Sequence, residues 1–199
     1  MNREIRKASE KNEDFELIKA FLSSKKEAFD KLVLKYQDLV FNVCFRFFGN
    51  HDEADDCSQE TFIKVYKSMK NFKFQSSFST WLYRIAMNTC KNRLASLEYR
   101  FSKKMIRLDK NPDEEGKTID VQDDTYSPIT IVERQEKEKM IQQAINKLPS
   151  DQKQVIVLRD IENLSYEEIV KITDLKLGTV KSKLARARES LRDKLKGVI

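Results

Sequence analysis

The chain has 199 residues, carries 38 Lys or Arg against 32 Asp or Glu, and has a net charge of +6 and a pI near 9.1. That length suits one domain or two small ones, and 35 % charged residues with only 4 Gly and 3 Pro are the composition of a helical, water-soluble chain. No apolar run approaches the roughly 18 residues of a membrane span, and the charged start Met1 to Lys7 lacks the apolar segment of a secretory signal, so the chain is expected to work in the cytoplasm.

A helix carrying Ile18, Phe21 and Leu22 comes first. Ser24-Lys25-Lys26-Glu27 then has the spacing of a capping box opening a second helix, whose apolar face is Phe29, Leu32, Tyr36, Leu39, Val40, Val43, Cys44 and Phe47. Gly49 fits the helix stop. A third helix begins near Asn50 or His51 and buries Ala54, Cys57, Thr61, Val65 and Met69. The stretch Asn71 to Phe78 breaks the pattern, and Ser79 or Thr80 is expected to cap a fourth helix running through Trp81, Leu82, Ile85, Ala86 and Thr89 to about Leu97.

From Asp109 to Tyr126 periodicity is lost, and seven acidic residues meet only two lysines beside Pro112 and Gly116, which reads as a linker. Pro128 restarts a helix in a first-turn position, with Ile141, Ala144, Ile145 and Leu148 on its core face. Leu148-Pro149-Ser150 and the apolar run Val155 to Leu158 follow. Ser165 to Glu168 is a second capping box, and Leu177 to Arg188 forms a last, basic helix. A capped helix, a tight turn and a basic helix make a helix-turn-helix, whose natural partner is the major groove of DNA. The expected fold is therefore all-α: two small helical domains, 12–107 and 128–199, joined by an acidic linker at 108–127.

Charge is segregated along the chain. Between Thr61 and Arg107 there are eleven basic residues and one acid, Glu98; between Lys176 and Lys196 there are eight basic residues and two acids. Two basic surfaces on linked domains suit two contacts on one polyanion. The third helix is the opposite case. Asp52 and Glu53 suit its N-terminal dipole. Asp56, Gln59, Glu60 and Ile63, at spacings of three and four, instead form an outward ridge better suited to a protein partner.

The connecting stretch and its helix mix Phe72, Phe74, Phe78, Trp81 and Tyr83 with Lys70, Lys73 and Arg84. Rings that stack unpaired bases beside cations that meet phosphates suit single-stranded DNA, while core packing is an equal alternative for Phe72 and Trp81. Asn71, Gln75, Ser76, Ser77 and Asn88 could hydrogen-bond a flipped base. Cys44, Cys57 and Cys90, without any CxxC spacing, read as small core hydrophobes, and the single histidine, His51, as a surface imidazole; no metal site is expected. No HExxH, Walker loop or paired-carboxylate metal site occurs, so neither catalysis nor a cofactor is expected.

Two separated segments resemble one family. Ala54-Asp55-Asp56, Gln59-Glu60-Thr61-Phe62 and Phe78-Ser79-Thr80-Trp81-Leu82-Tyr83-Arg84-Ile85-Ala86 with Asn88 form the first; Leu148-Pro149, Val157-Leu158-Arg159-Asp160, Leu164 to Ile169 and Gly178 to Leu184 form the second. In order and spacing the chain resembles the compact bacterial sigma factors of the extracytoplasmic-function (ECF) group. The resemblance implies an initiation factor that joins core RNA polymerase and directs it to promoters, with an anti-sigma factor as a further partner and no small-molecule substrate.

It implies that Asp55, Asp56, Gln59, Glu60 and Ile63 meet the polymerase. Asn71, Phe72, Lys73, Phe78, Ser79, Trp81, Arg84, Asn88 and Arg93 would read and open the −10 element. Thr179, Lys181, Ser182, Ala185, Arg186 and Arg188 would read the −35 element. Several positions depart from the pattern: Cys57-Ser58 replaces an apolar pair, Val170 stands where Ala is common, Asp174 takes the place of the turn Gly, a position Asp tolerates in left-handed geometry, and Ala185 in the recognition helix offers only apolar contact. The alternative is a helix-turn-helix regulator that binds double-stranded operators without polymerase; it leaves the aromatic stretch and the acidic ridge without a task.

Overall fold

A computed structural model describes residues 2–107 and 128–196, with side chains described from 12 to 99 and from 136 to 196. The acidic linker at 108–127 lies outside the described residues. Eight α-helices make up the described chain, and no strand occurs among the described residues: α1 (Asn2–Leu22), α2 (Glu27–Phe48), α3 (His51–Ser68), α4 (Phe78–Arg107), α5 (Pro128–Asn146), α6 (Ser150–Ile156), α7 (Tyr166–Thr173) and α8 (Leu177–Leu195). A single 3-10 turn (Met69–Asn71) follows α3, and α6 widens into a π turn (Val157–Ile161).

The helix punctuation follows local chemistry. Gly49 ends α2 with φ +67°, and its N–H bonds the Phe45 carbonyl. Asn50 caps α3 by accepting from the Glu53 N–H. Ser165 and Glu168 form the expected reciprocal capping box of α7, and Asp174 closes α7 with φ 60°, the left-handed geometry anticipated for it. The Ser24–Glu27 box does not form. Ser24 sits at φ 72°, and the bonds from Ser24 N–H to Phe21 and from Lys25 N–H to Ala20 close the end of α1 instead. A residue that terminates one helix in left-handed geometry cannot hold the extended backbone of a cap for the next, so α2 begins behind Lys26 with no side-chain cap.

Two further expectations shift. The fourth helix runs to Arg107 rather than Leu97, and its side-chain cap is Ser77, whose oxygen accepts from the Thr80 N–H.

Helices α1 to α4 pack around Leu32, Val40, Val43, Phe47, Ala54, Val65, Leu82, Ala86 and Met87, all essentially inaccessible. Cys44, Cys57 and Cys90 are fully buried in the same core, as their reading as core residues requires. Asp14 is buried on α1 and satisfied: it accepts from the Tyr36 hydroxyl at 2.7 Å and from Lys35 at 2.8 Å. Helices α5 to α8 enclose Leu148, Val155, Leu158, Ile169, Ile172, Val180, Leu184 and Ala187. These two cores are continuous, because α4 packs on α7 and α2 packs on α5.

Candidate functional site

The helical period places Asp55, Asp56, Gln59 and Ile63 of α3 in solvent, opposite the buried Ala54, Cys57, Thr61 and Val65. Ile63 is 53 % exposed, an apolar centre in a polar ridge. Gln59 donates to Asp55 at 3.0 Å, and the half-buried Glu60 pairs with Lys64 at 2.8 Å. Arg93 of α4, expected to meet the −10 element, lies beside this ridge. Its guanidinium donates to Glu53 and, at 2.6 Å, to Asp56, and these carboxylates hold it protonated above its ordinary range. Cys57 and Ser58, the departure from an apolar pair, are both buried beneath the ridge.

The stretch between α3 and α4 carries the second cluster. Asn71 and Lys73 are exposed, as are Arg84 and Asn88 on the next helix. Ser79 and Trp81 are half-buried. Phe72 and Phe78 are 7 % and 3 % exposed, and their rings pack with Trp81 and Tyr36. The aromatic that does reach solvent is Phe74, 42 % exposed, against Phe15 and Phe72. Phe74 adopts φ 57°, a left-handed conformation that costs a bulky residue energy and marks a segment held by its surroundings. The sequence places Phe74 among the rings suited to stack bases, though not among the residues assigned to the −10 element; its backbone conformation carries no sequence signal.

A cavity of about 580 Å³ opens beside this stretch. Phe72, Gln75, Ser76 and Ser77 form one wall, and Glu168 and Lys171 of α7 form part of the other. It combines an aromatic face with amide and hydroxyl groups, the furnishing an unstacked base requires.

On α8, Lys181, Ser182, Ala185 and Arg186 are all exposed along one side, while Val180, Leu184 and Ala187 are buried on the other. Thr179 is half-buried, and Ser182 donates back to its carbonyl at 3.0 Å. Arg188 is exposed but engaged: it grips Asp160 with two bonds of 2.9 and 2.6 Å, which raises its pKa further.

Contacts between the two halves were not visible in the sequence. Tyr83 donates its hydroxyl to Glu162 at 2.7 Å. Asp151 accepts from Lys91 of α4 at 2.9 Å and from Lys183 of α8 at 2.8 Å, and these ammonium groups lower its pKa, Lys183 most. Arg84 approaches Asp174 at 3.9 Å, and Gln142 donates to the Arg46 carbonyl at 3.0 Å. Lys153 is buried with its ammonium 5.2 Å from the centre of the Phe47 ring, and burial lowers its pKa.

The comparisons with known proteins agree with this layout. The Sigma-70 region 2 family matches residues 32–99, and the Sigma-70, region 4 family matches residues 138–191. The chain is 37 % identical over 187 residues to the RNA polymerase sigma-H factor of Pseudomonas aeruginosa, covering 90 % of this chain and 92 % of that protein. It is 37 % identical over 185 residues to the ECF RNA polymerase sigma-E factor of Haemophilus influenzae (92 % and 95 % covered). The Escherichia coli ECF sigma-E factor is 34 % identical over 192 residues (96 % and 98 % covered).

The fold is shared with the sigma factor RpoE solved in complex with the anti-sigma factor NepR from Bartonella quintana, with a TM-score of 0.62 and 24 % identity over 84 % of this chain and 96 % of that one. CnrH, solved in complex with the cytosolic domain of CnrY, gives a TM-score of 0.63 at 20 % identity over 93 % and 98 %. With both regions present in order and relatives matched along nearly their whole length, the chain belongs to the sigma-70 family, as an extracytoplasmic-function RNA polymerase sigma factor.

Proposed function

We propose that this sigma factor divides its work among three surfaces. The α3 ridge of Asp55, Asp56, Gln59, Glu60 and Ile63 docks on core RNA polymerase. The stretch from Asn71 to Ser79, with Trp81, Arg84 and Asn88, receives the opened −10 strand. The outward side of α8 reads the −35 element in the major groove. The single observation that carries this reading is that Asp55, Asp56, Gln59 and Ile63 of α3 and Lys181, Ser182, Ala185 and Arg186 of α8 are exposed on helices whose opposite faces are buried, so neither set fills a core. A helix-turn-helix regulator would explain only the second of these.

Arg186 is exposed and has no hydrogen-bond partner among the described residues, which suits a bidentate base contact, and Ala185 beside it can meet a thymine methyl. Lys181 stands near the Tyr166 ring, 5.7 Å from its centre, and suits a phosphate. Arg93 and Arg188, tied to Asp56 and Asp160, serve best as braces of the polymerase ridge and of the recognition helix. The cavity beside Phe72 suits one unstacked base, with Gln75 and the serines supplying hydrogen bonds. Phe72 and Phe78 then act mainly as the packed floor of that site, and Phe74 as the ring within reach of a base.

The working domains are 12–107 and 128–199 with 108–127 as the strap between them. The protein acts in the cytoplasm, contributes no catalysis of its own, and has an anti-sigma factor among its partners. Reconstituted transcription with core polymerase on a promoter library tests the reading. The expected result is start-site selection that depends on both promoter elements and is lost on Asp56→Arg. Operator binding of full strength without polymerase, with no effect on start sites, would overturn it.

A further inference from the structure

Three thiols from three helices meet inside the first domain. Cys44 of α2, Cys57 of α3 and Cys90 of α4 are each fully buried. The Cys57 and Cys90 sulfurs are 3.6 Å apart, Cys90 and Cys44 are 3.7 Å apart, and all three lie within 4.8 Å of one another. They are the only cysteines of the chain, and all are free. Sulfurs bound to one tetrahedral centre at about 2.3 Å stand about 3.8 Å apart, and closer at the narrower angles of a pyramidal centre, so two of the three edges are within a small further approach of a shared ligand sphere. A disulfide, at about 2.05 Å, would need a larger approach and would leave one thiol over.

Nothing in the promoter or polymerase reading uses this triad. Ligand type and charge decide what it could hold. Among the described residues no histidine or carboxylate joins the group, so the fourth donor of a tetrahedral zinc site is missing. Binding by all three sulfurs releases three protons. A monovalent ion would then leave a net charge of minus two in an apolar core, and a divalent one minus one, each carrying a desolvation penalty of several kcal/mol. A trivalent centre leaves none.

We propose that Cys44, Cys57 and Cys90 form a buried three-sulfur site for a trivalent thiophilic metalloid, arsenic(III), that ties α2, α3 and α4 together. Arsenous acid and three thiols give the tris-thiolate and three water molecules: three As–O bonds break, three As–S bonds form, each thiol proton leaves with a hydroxyl, and no atom is oxidised or reduced. The reagent is small and uncharged, so it can enter during local opening of the helices without carrying charge into the core.

The test uses the full-length protein under anaerobic, reducing conditions with arsenite as the probe. Intact mass should rise by one arsenic atom less three hydrogens, and all three thiols of the loaded protein, but not of the free one, should resist alkylation after unfolding. Cys44→Ala, Cys57→Ala and Cys90→Ala should each weaken retention by more than about tenfold, since one of three bonds is gone. Should an alanine variant fail to fold by circular dichroism, the alkylation pattern of the unaltered protein decides. Arsenic taken up only in urea, uptake undiminished in all three folded variants, or retention of zinc or cuprous ion in place of arsenic would overturn the proposal.

Discussion

Tyr83→Phe removes one oxygen from the seam between the two domains and leaves the ring in place. Tyr83 is buried, and its hydroxyl donates to the Glu162 carboxylate at 2.7 Å. Burial and the adjacent carboxylate push the phenol above its ordinary range, so it is a donor at every workable pH. A hydrogen bond to a charged acceptor contributes about 1.5–3 kcal/mol, and the lower end applies because Glu162 is half-exposed and regains water when the partner is lost. About 1.5 kcal/mol corresponds to a roughly tenfold larger fraction of chains with their domains parted.

Single-molecule energy transfer between dyes on K67C and K194C, both exposed positions, measures that fraction; the native thiols are buried and stay unlabelled. Glu162→Gln alone should open the seam by a comparable factor, and the double variant should add little to either. An unchanged open fraction in Tyr83→Phe, or fully additive effects in the cycle, would refute the assignment of this pair as a domain clasp.

Other perturbations have equally definite outcomes. Arg186→Ala should cost about 1–3 kcal/mol on a −35 duplex and much less on random DNA, measured by fluorescence anisotropy at fixed salt. Gln59→Ala together with Asp56→Arg should weaken core-polymerase pull-down while leaving the thermal unfolding midpoint within a few degrees, since both side chains are exposed. Asp151 has a depressed pKa in the folded chain, so its two ion pairs act in full above the ordinary value of 3.8 and are lost as pH falls through the lower, folded value. Asp151→Asn should therefore loosen the seam at neutral pH, by about 1 kcal/mol given half-exposed partners, and flatten the acid limb of the opening curve. Lys153 runs the other way: burial lowers its pKa, so the unfolded chain binds more protons and stability should rise as pH climbs toward 10.5, a slope that Lys153→Met abolishes in urea titrations.

Much of the fold is written in local pattern. The stripe from Phe29 to Phe47 and the triad Ala54, Cys57, Thr61 were legible because a helix repeats its buried face every three to four residues. The Ser165 box, the Asn50 cap and the left-handed Asp174 follow from side-chain chemistry within a few residues. Ser24 misled because a serine that closes one helix offers the same letters as one that opens the next. The α3 ridge was visible as the face left over once the core stripe was assigned.

What escaped notice lies far apart in the chain. Tyr83 and Glu162 are 79 residues apart, Lys91 and Asp151 are 60 apart, and no periodicity links them. The resemblance assigned Arg93 to the −10 element, and its pairing with Glu53 and Asp56, set by the crossing of α3 and α4, carries no local signal. The cysteines, separated by 13 and 33 positions, meet for the same reason.

The wall that α7 lends to the cavity has a thermodynamic sequel. Glu168 and Lys171 line the same cavity as Phe72 and Ser77, so each half of the molecule supplies part of one pocket. Any motion that separates the halves dismantles that pocket, and a ligand seated in it resists the separation by whatever it gains from the α7 side; linkage then makes closure of the halves favour the ligand to the same degree.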